Sequence, residues 1–180
     1  WGGVGKRGEF IGLVSSPINL DEYIINEGLT KDFSKFLQRV SEQTFNFVTP
    51  AKGDRVLQCA INGNKVTFDS IASTGTQSLM LLYYWIKQMS NASFVFIDEF
   101  DAFYHYDLSY KVCKELFSLD NCQVFTSSHN TYLMTNDLLR PDCNFIINDN
   151  KIKPLTECTN KELRFGHNIE KLFRGKVFKV

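Results

Sequence analysis

Two adjacent carboxylates, Asp98 and Glu99, directly follow the apolar segment 94–97. The run Phe-Val-Phe-Ile has the length of a strand that is covered on both faces. Open parallel sheets place their chemistry beyond the carboxyl ends of their strands. There, one carboxylate can hold Mg²⁺ through oxygen contacts while the other orients or deprotonates a water molecule. A solvated turn or the N-cap of a following helix is the structural alternative for such a pair.

A second predicted strand segment, 122–126, is followed directly by Ser127, Ser128 and His129. A histidine at a strand end can donate a hydrogen bond to a phosphoryl oxygen, and the hydroxyls beside it can bind neighbouring carboxylates. Because one predicted βαβ unit separates this segment from the carboxylate pair, we expect the two strand ends to lie close together. The alternative is a loop histidine that is held by ordinary hydrogen bonds.

The segment 72–77, Ala-Ser-Thr-Gly-Thr-Gln, precedes a long amphipathic helix. Small and hydroxyl-bearing residues at a helix N-terminus leave backbone N–H groups available at the positive end of the helix dipole, which suits an anion. The segment, which contains Ser73, Gly75 and Gln77, is therefore a candidate anion-binding site. An ordinary Ser/Thr N-cap is the alternative.

The spacing of apolar residues predicts the elements that must position these side chains. Helices are expected at 31–40, 76–90, 108–119 and 132–139, and strands at 45–48, 56–61, 66–68, 94–97, 123–126, 144–148 and 152–155. The dipeptide Asn62-Gly63 predicts a hairpin turn between the second and third strands. The fourth helix must stop before Pro141, and Thr159 and Glu162 have capping-box spacing for a last helix. Alternating strands and helices favour an α/β fold with a mostly parallel sheet and flanking helices.

Composition limits the class of protein. The 180 residues are 43% hydrophobic, which suffices for one α/β domain, and the 20 acidic and 20 basic side chains leave no net charge to steer the chain to nucleic acid or an anionic membrane. Five scattered cysteines without C-x-x-C spacing, no membrane-length apolar run and no leader predict reduced thiols in a cytoplasmic protein without a membrane partner. A chain that opens on Trp1 is expected to be a fragment or a processed product.

The order of these motifs resembles the second half of an ABC-type ATPase of the SMC, RecF and OLD-like branch, over about residues 56–175. The longer strings FVFIDEFDAFYH, TSSHNTYLMTNDLLRPD and LRFGHNIEKLFRG resemble bacterial AAA-family ATPases associated with abortive infection and phage defence. The resemblance implies ATP and Mg²⁺ as cofactors. It also implies ATP hydrolysis by a dimer in a defence or DNA-related system, with an effector protein as a further partner.

The resemblance also implies a role for each candidate residue. Ser73 and Gly75 match the signature motif, which binds the γ-phosphate of ATP held by the other protomer, with Gln77 close by. Asp98 matches the Walker B residue that holds Mg²⁺, and Glu99 matches the general base. His129 matches the switch histidine.

One expected part of such an ATPase is missing from the sequence. The phosphate loop G-x-x-x-x-G-K-[ST] does not occur; Gly5-Lys6 is followed by Arg7, which cannot ligate a cation. The chain is therefore expected to be a partial P-loop NTPase domain, with an N-terminal segment 1–44 that contains one helix and the C-terminal ATPase part at 45–180. A homodimer, or a partner segment with a phosphate loop, would complete it.

Other interpretations stay open. Without a phosphate loop, the chain can instead be a non-catalytic module that binds a protein partner. Direct nucleic-acid binding rests on the family resemblance and on a basic C-terminal cluster, for which a solvated helix end is the alternative: Lys171, Arg174, Lys176 and Lys179. Three further groups match the family more loosely and can equally be packing or capping residues: Asp101; Tyr104, His105 and Tyr106; and Arg164, His167 and Asn168.

Overall fold

A computed structural model describes residues 18–89 and 91–179, together with the backbone of 2–4 and 10–12. The helices are α1 Leu20–Asn26, α2 Thr30–Ser41, α3 Phe68–Ile71, α4 Thr74–Met89, α5 Tyr106–Phe117 and α6 Ile169–Arg174. The strands are β1 Gly2–Val4, β2 Phe10–Gly12, β3 Gln58–Ile61, β4 Asn64–Thr67, β5 Phe94–Ile97, β6 Gln123–Thr126, β7 Phe145–Asn148 and β8 Lys151–Pro154. The fold is mixed α/β. It forms two compact units, Trp1–Ser127 and Ser128–Val180.

The described strands form four two-stranded sheets, and only β5 and β6 pair in parallel. The expectation of a mostly parallel sheet is therefore wrong for the described residues. Two-residue turns at 62–63 and 149–150 join β3 to β4 and β7 to β8, and all four turn residues have positive φ. Such tight turns can join only antiparallel neighbours, whereas β5 and β6 are separated by the crossover helix α5.

The first unit has an aromatic core between α2 and α4. Phe33 is fully buried, and its ring lies 5.7 Å from that of Phe68 and 5.1 Å from that of Tyr83, centroid to centroid. Arg39 of α2 binds Glu115 of α5 through two hydrogen bonds of 2.6 and 2.7 Å. These contacts fix the crossover helix α5, and hence the ends of β5 and β6, to the same core. The predicted helices at 31–40, 76–90 and 108–119 are confirmed as α2, α4 and α5.

The strand β5 has the predicted bounds but is not covered on both faces. Val95 and Ile97 are buried, while Phe94 and Phe96 are 46% and 38% exposed. Phe94 packs against Phe125 of β6 on the open face, with 5.4 Å between the ring centroids. The strand therefore has one buried face. Its other side chains are apolar although exposed, and the ring of Phe94 is partly covered by that of Phe125.

The second unit packs around Leu155, Cys158, Ile169 and Phe178. Two predicted features are wrong here because side chains compete locally for backbone N–H groups. The helix expected at 132–139 is a single 3-10 turn, Thr131–Leu133, which the Asn130 side chain caps. The last helix does not begin at the predicted capping box.

That capping box is replaced by a later cap. Thr159 Oγ1 accepts a hydrogen bond from the N–H of Lys161, which forms a local turn. The helix begins instead at Ile169, where Asn168 Oδ1 accepts from the N–H of Lys171 at 2.7 Å. Among the remaining predicted strands, 45–48 contributes a single bridge, Phe47 to Cys59. No helix in the described part of the chain is long and apolar enough to cross a bilayer.

A partly exposed ion pair beside the aromatic core predicts a pH-dependent stability. Asp32 accepts a hydrogen bond from the Tyr83 hydroxyl at 2.6 Å and pairs with Lys87 at 2.7 Å. These contacts, of which that with Lys87 has the larger effect, lower the pKa of Asp32 below its ordinary value. This stabilisation is complete above the unfolded pKa and is lost as the pH falls through the folded pKa. Asp32→Asn should cost up to about 1 kcal/mol at pH 7, since the pair is partly exposed. Urea unfolding at pH 7 and pH 3 measures this.

The difference between Asp32→Asn and the wild type should shrink toward pH 3, whereas substitution of the exposed Asp120 to Asn should have little effect at either pH. An equal cost of Asp32→Asn at both pH values would contradict the ion-pair explanation.

The aromatic core gives a second stability prediction. Phe33→Ala removes a ring that is fully buried among Phe47, Phe68 and Tyr83, so the free energy of unfolding should fall by about 3–5 kcal/mol. Phe165→Ala is the matched control because that side chain is 72% exposed. Chemical unfolding gives the free energy of unfolding of both variants. Similar decreases for the two would contradict the assignment of Phe33 to the core of the first unit.

Candidate functional site

The candidate site lies where the β5–β6 ladder runs past the ends of both strands. The N–H of Ser127 donates to the carbonyl of Ile97 at 2.9 Å, and the N–H of Phe100 donates to the carbonyl of Ser127 at 3.2 Å. These two bonds continue the parallel pairing beyond Thr126. The segment that carries Asp98 and Glu99 is therefore fixed against Ser127, as the βαβ arrangement predicted.

The Ser127 hydroxyl bridges the two acidic residues. Ser127 Oγ donates a hydrogen bond to Asp98 Oδ1 and accepts one from the backbone N–H of Glu99 at 2.8 Å. Glu99 has a left-handed backbone with φ of 44°, which costs a non-glycine residue about 1–2 kcal/mol. Because the bridge holds the N–H of Glu99, it stabilises this conformation. At Glu99 the backbone leaves the extended conformation of β5. The Asp98 and Glu99 side chains are both exposed.

The donor chemistry of this edge fits Mg²⁺. Asp98, Glu99 and Ser127 offer only oxygen atoms, which a hard cation prefers. The described residues contain no group of three or more histidine, cysteine or acidic side chains that could hold a metal by themselves. Mg²⁺ bound to nucleotides commonly uses one or two carboxylates and the substrate phosphates, so a carboxylate pair without a full protein cage suits that kind of site.

At the N-terminus of α4, Ser73 acts as an N-cap. Its Oγ accepts from the N–H of Thr76 at 3.1 Å and lies 2.9 Å from Thr76 Oγ1, which donates to Gln43 Oε1 at 3.1 Å. The structural alternative considered for this segment is therefore present. Ser73 itself is exposed, so its hydroxyl lies at the surface beside the first turn of α4.

Gly75 and Gln77 differ in their surroundings. A Cβ placed on Gly75 would lie 3.5 Å from the carbonyl oxygen of Phe103, which is an ordinary van der Waals distance, so packing within the described chain does not require glycine there. Gln77 donates from Nε2 to Asp69 Oδ1 at 2.7 Å, so its amide is bound to the first turn of the preceding short helix α3.

A hydrogen bond that no sequence pattern predicted joins α4 to the segment after Glu99. Ser78 Oγ lies 3.0 Å from the hydroxyl of Tyr104, which is 9% exposed. The packing role considered for Tyr104 is thus confirmed, and His105 is the N-cap residue of α5. Asp101 is partly buried in the turn after Glu99, where its charge adds to the dominant effect of burial in raising the pKa of Cys113 to about 12.

His129 belongs to the second unit, whereas the other candidate residues belong to the first. It is exposed and follows Ser128, whose Oγ accepts from the N–H of Asn130 at 2.9 Å. The structure thus brings Asp98, Glu99 and Ser127 together, and it places the α4 N-terminus against the turn that follows Glu99.

The closing motif has a structural part in the second unit. The N–H of Arg164 donates to His167 Nδ1 at 3.0 Å, the N–H of His167 donates to the Arg164 carbonyl at 2.9 Å, and Asn168 caps α6. These residues form a turn and a cap ahead of the helix. In the basic C-terminal cluster, Arg174 lies 4.6 Å from the centre of the Tyr132 ring and pairs with Glu170.

Comparison with known proteins gives a family match over part of the chain. Residues 61–135 match the family model described as "AAA domain, putative AbiEii toxin, Type IV TA system". The match is less than half of the chain, and it includes the segment with Ser73, the carboxylate pair and His129. This region therefore resembles the AAA-family ATPases of abortive-infection systems, as the motifs predicted, and the match indicates a nucleotide-binding domain of the ATPase type. No curated protein matches the chain.

The bridge at the strand ends can be tested by its effect on stability. Ser127→Ala leaves the Asp98 carboxylate and the N–H of Glu99 without this partner, so the free energy of unfolding should fall by about 1–2 kcal/mol. Ser127→Thr keeps the hydroxyl and should recover most of the loss, and the exposed Ser70→Ala serves as control. Urea unfolding gives the values, and a loss no larger than that of Ser70→Ala would sink the bridge.

Proposed function

We propose that this chain is the C-terminal part of an ABC-type AAA ATPase domain, which binds and hydrolyses ATP with Mg²⁺ and works as a dimer in a bacterial defence or DNA-related system. The observation that carries the proposal is the Ser127 bridge, which holds Asp98 and Glu99 side by side and exposed at the end of a parallel strand pair. The match of residues 61–135 to an AAA domain supports the same assignment.

The two acidic residues would have different roles at the γ-phosphate. Asp98 would hold Mg²⁺, which when bound offsets negative charge on the phosphate oxygens. Glu99 would accept a proton from the attacking water and so act as the general base.

The remaining candidates would bind phosphate. His129 would donate a hydrogen bond to the γ-phosphate. Ser73 and Gly75 would bind the γ-phosphate of ATP held by the partner protomer, through the exposed start of α4. Two features support this: packing within the described chain does not require glycine at position 75, and the Ser73 hydroxyl is at the surface. Gln77 would contribute at the edge of the same surface only if its hydrogen bond to Asp69 opens.

The phosphate loop must then come from elsewhere, because the sequence does not contain its pattern. We propose that a preceding segment of a longer polypeptide, or a partner protein, supplies it, and that the assembly works in the cytoplasm. ATP hydrolysis would control a conformational change that an effector protein recognises.

A second candidate is a protein-interaction module that keeps the fold without turning over ATP. The absence of the phosphate-loop pattern from the sequence favours it. The two candidates separate in one assay, in which the chain is combined with a phosphate-loop segment and ATP hydrolysis is measured. Hydrolysis supports the enzyme, and its absence under saturating ATP and Mg²⁺ supports the module.

Glu99→Gln tests the general base in the assembly that contains the phosphate loop. The amide cannot accept the proton of water, so turnover should fall by about a hundredfold or more. Dimerisation driven by ATP should persist, because the amide retains the shape and the binding surface of the carboxylate. Phosphate release and light scattering measure the two effects.

The exposed Glu27→Gln at the end of α1 is the control and should behave as the wild type. Wild-type turnover in Glu99→Gln would falsify the assignment of the base, even if the protein is an ATPase.

A further inference from the structure

We infer that Tyr104 and Ser78 form a positioning pair, which fixes the turn that begins at Glu99 to the segment of Ser73 and Gly75. The carboxylate that acts in one ATP site and the segment that closes the other site would then be held in one arrangement. This inference rests on the proposed function, because it assigns a catalytic effect to the contact between α4 and the turn after Glu99.

The Tyr104 hydroxyl forms a hydrogen bond with Ser78 at a buried position. The side chain is 9% exposed, and a buried tyrosine hydroxyl normally finds a hydrogen-bond partner. Burial raises the pKa of Tyr104, so the hydroxyl stays protonated at neutral pH. Its oxygen lies 3.0 Å from Ser78 Oγ, and either group can be the donor. The bond therefore persists over the whole physiological pH range.

The route from Tyr104 back to Glu99 is short and held by backbone bonds. The N–H of Ala102 donates to the carbonyl of Glu99 at 3.0 Å, and the N–H of Tyr104 donates to that of Asp101 at 3.0 Å. On the other side, Ser109 Oγ of α5 donates to the carbonyl of His105 at 3.1 Å. The five residues after Glu99 thus form consecutive turns between two fixed ends.

The route from Ser78 to the α4 N-terminus is equally direct. Ser78 lies in the same helix, one turn after Thr74, and the carbonyl oxygen of Phe103 is near enough to Gly75 that a Cβ at this position would lie 3.5 Å from it. The buried Thr76, which is 3% exposed, ties this first turn to Gln43. A shift of the Glu99 turn would therefore be transmitted to Ser73 and Gly75 through two contacts on one face of α4.

The pair should affect the rate of the chemical step more than the binding of ATP. Neither Tyr104 nor Ser78 is a candidate to touch the nucleotide, and small errors in the position of a catalytic group lower kcat steeply. Tyr104→Phe and Ser78→Ala should each lower kcat about fivefold, the effect of one net hydrogen bond, with KM unchanged. The double variant should lose no more than either single one, because both changes remove the same bond.

Tyr84→Phe is the matched control. Tyr84 lies on the same helix α4 and is 8% exposed, and the described residues provide its hydroxyl with no hydrogen-bond partner. Its loss should leave kcat unchanged. Ser78→Thr keeps the hydroxyl and should restore most of the activity that Ser78→Ala loses. Urea unfolding of every variant excludes a simple loss of folded protein.

The possible outcomes distinguish a failure of the positioning pair from a failure of the proposed ATPase function. If the wild-type assembly does not hydrolyse ATP, the proposed function fails. If it does and Tyr104→Phe matches Tyr84→Phe in kcat, the positioning pair is wrong while the ATPase stands. Additive losses in the double variant, or a rise in KM with kcat unchanged, would also overturn the positioning role.

Discussion

The hydroxyl of Ser127 is the contact on which the arrangement of the acidic pair depends. It connects the ends of the only parallel strands in the described residues, because it binds Asp98 through the side chain and Glu99 through the backbone. It adds to the backbone pairing in holding the left-handed turn at Glu99. The core of α2, α4 and α5 matters to function chiefly because it fixes the crossover helix that sets these two strand ends in register.

Local sequence signals predicted the parts of the fold that local chemistry decides. The turn at Asn62-Gly63, the strand before Asp98 and the bond between a serine after β6 and the acidic pair were all predicted, since each follows from adjacent residues or one βαβ unit. The turn at 149–150 carries no glycine, so its hairpin geometry was less visible.

Other features could not be predicted because they depend on competition or on distance. Asn130 and Asn168 capture backbone N–H groups and so decide where the elements after β6 begin and end, against the apolar spacing that favoured a helix at 132–139. The bond between Ser78 and Tyr104 joins residues 26 apart, and no spacing in the sequence predicts that they meet. A hydroxyl on an amphipathic helix and a tyrosine before a helix are ordinary features until the packing brings them together.

The most direct test of the composite site is a mixing experiment on the assembly that contains the phosphate loop. Glu99→Gln and Ser73→Arg are prepared separately, each is shown to fold by its unfolding transition, and the two are mixed in equal amounts before ATP hydrolysis is measured. In a two-fold dimer, half of the random pairs are mixed, and each has one intact site, so the mixture should recover about a quarter of wild-type turnover. A mixture no more active than its two inactive components would contradict the proposed site.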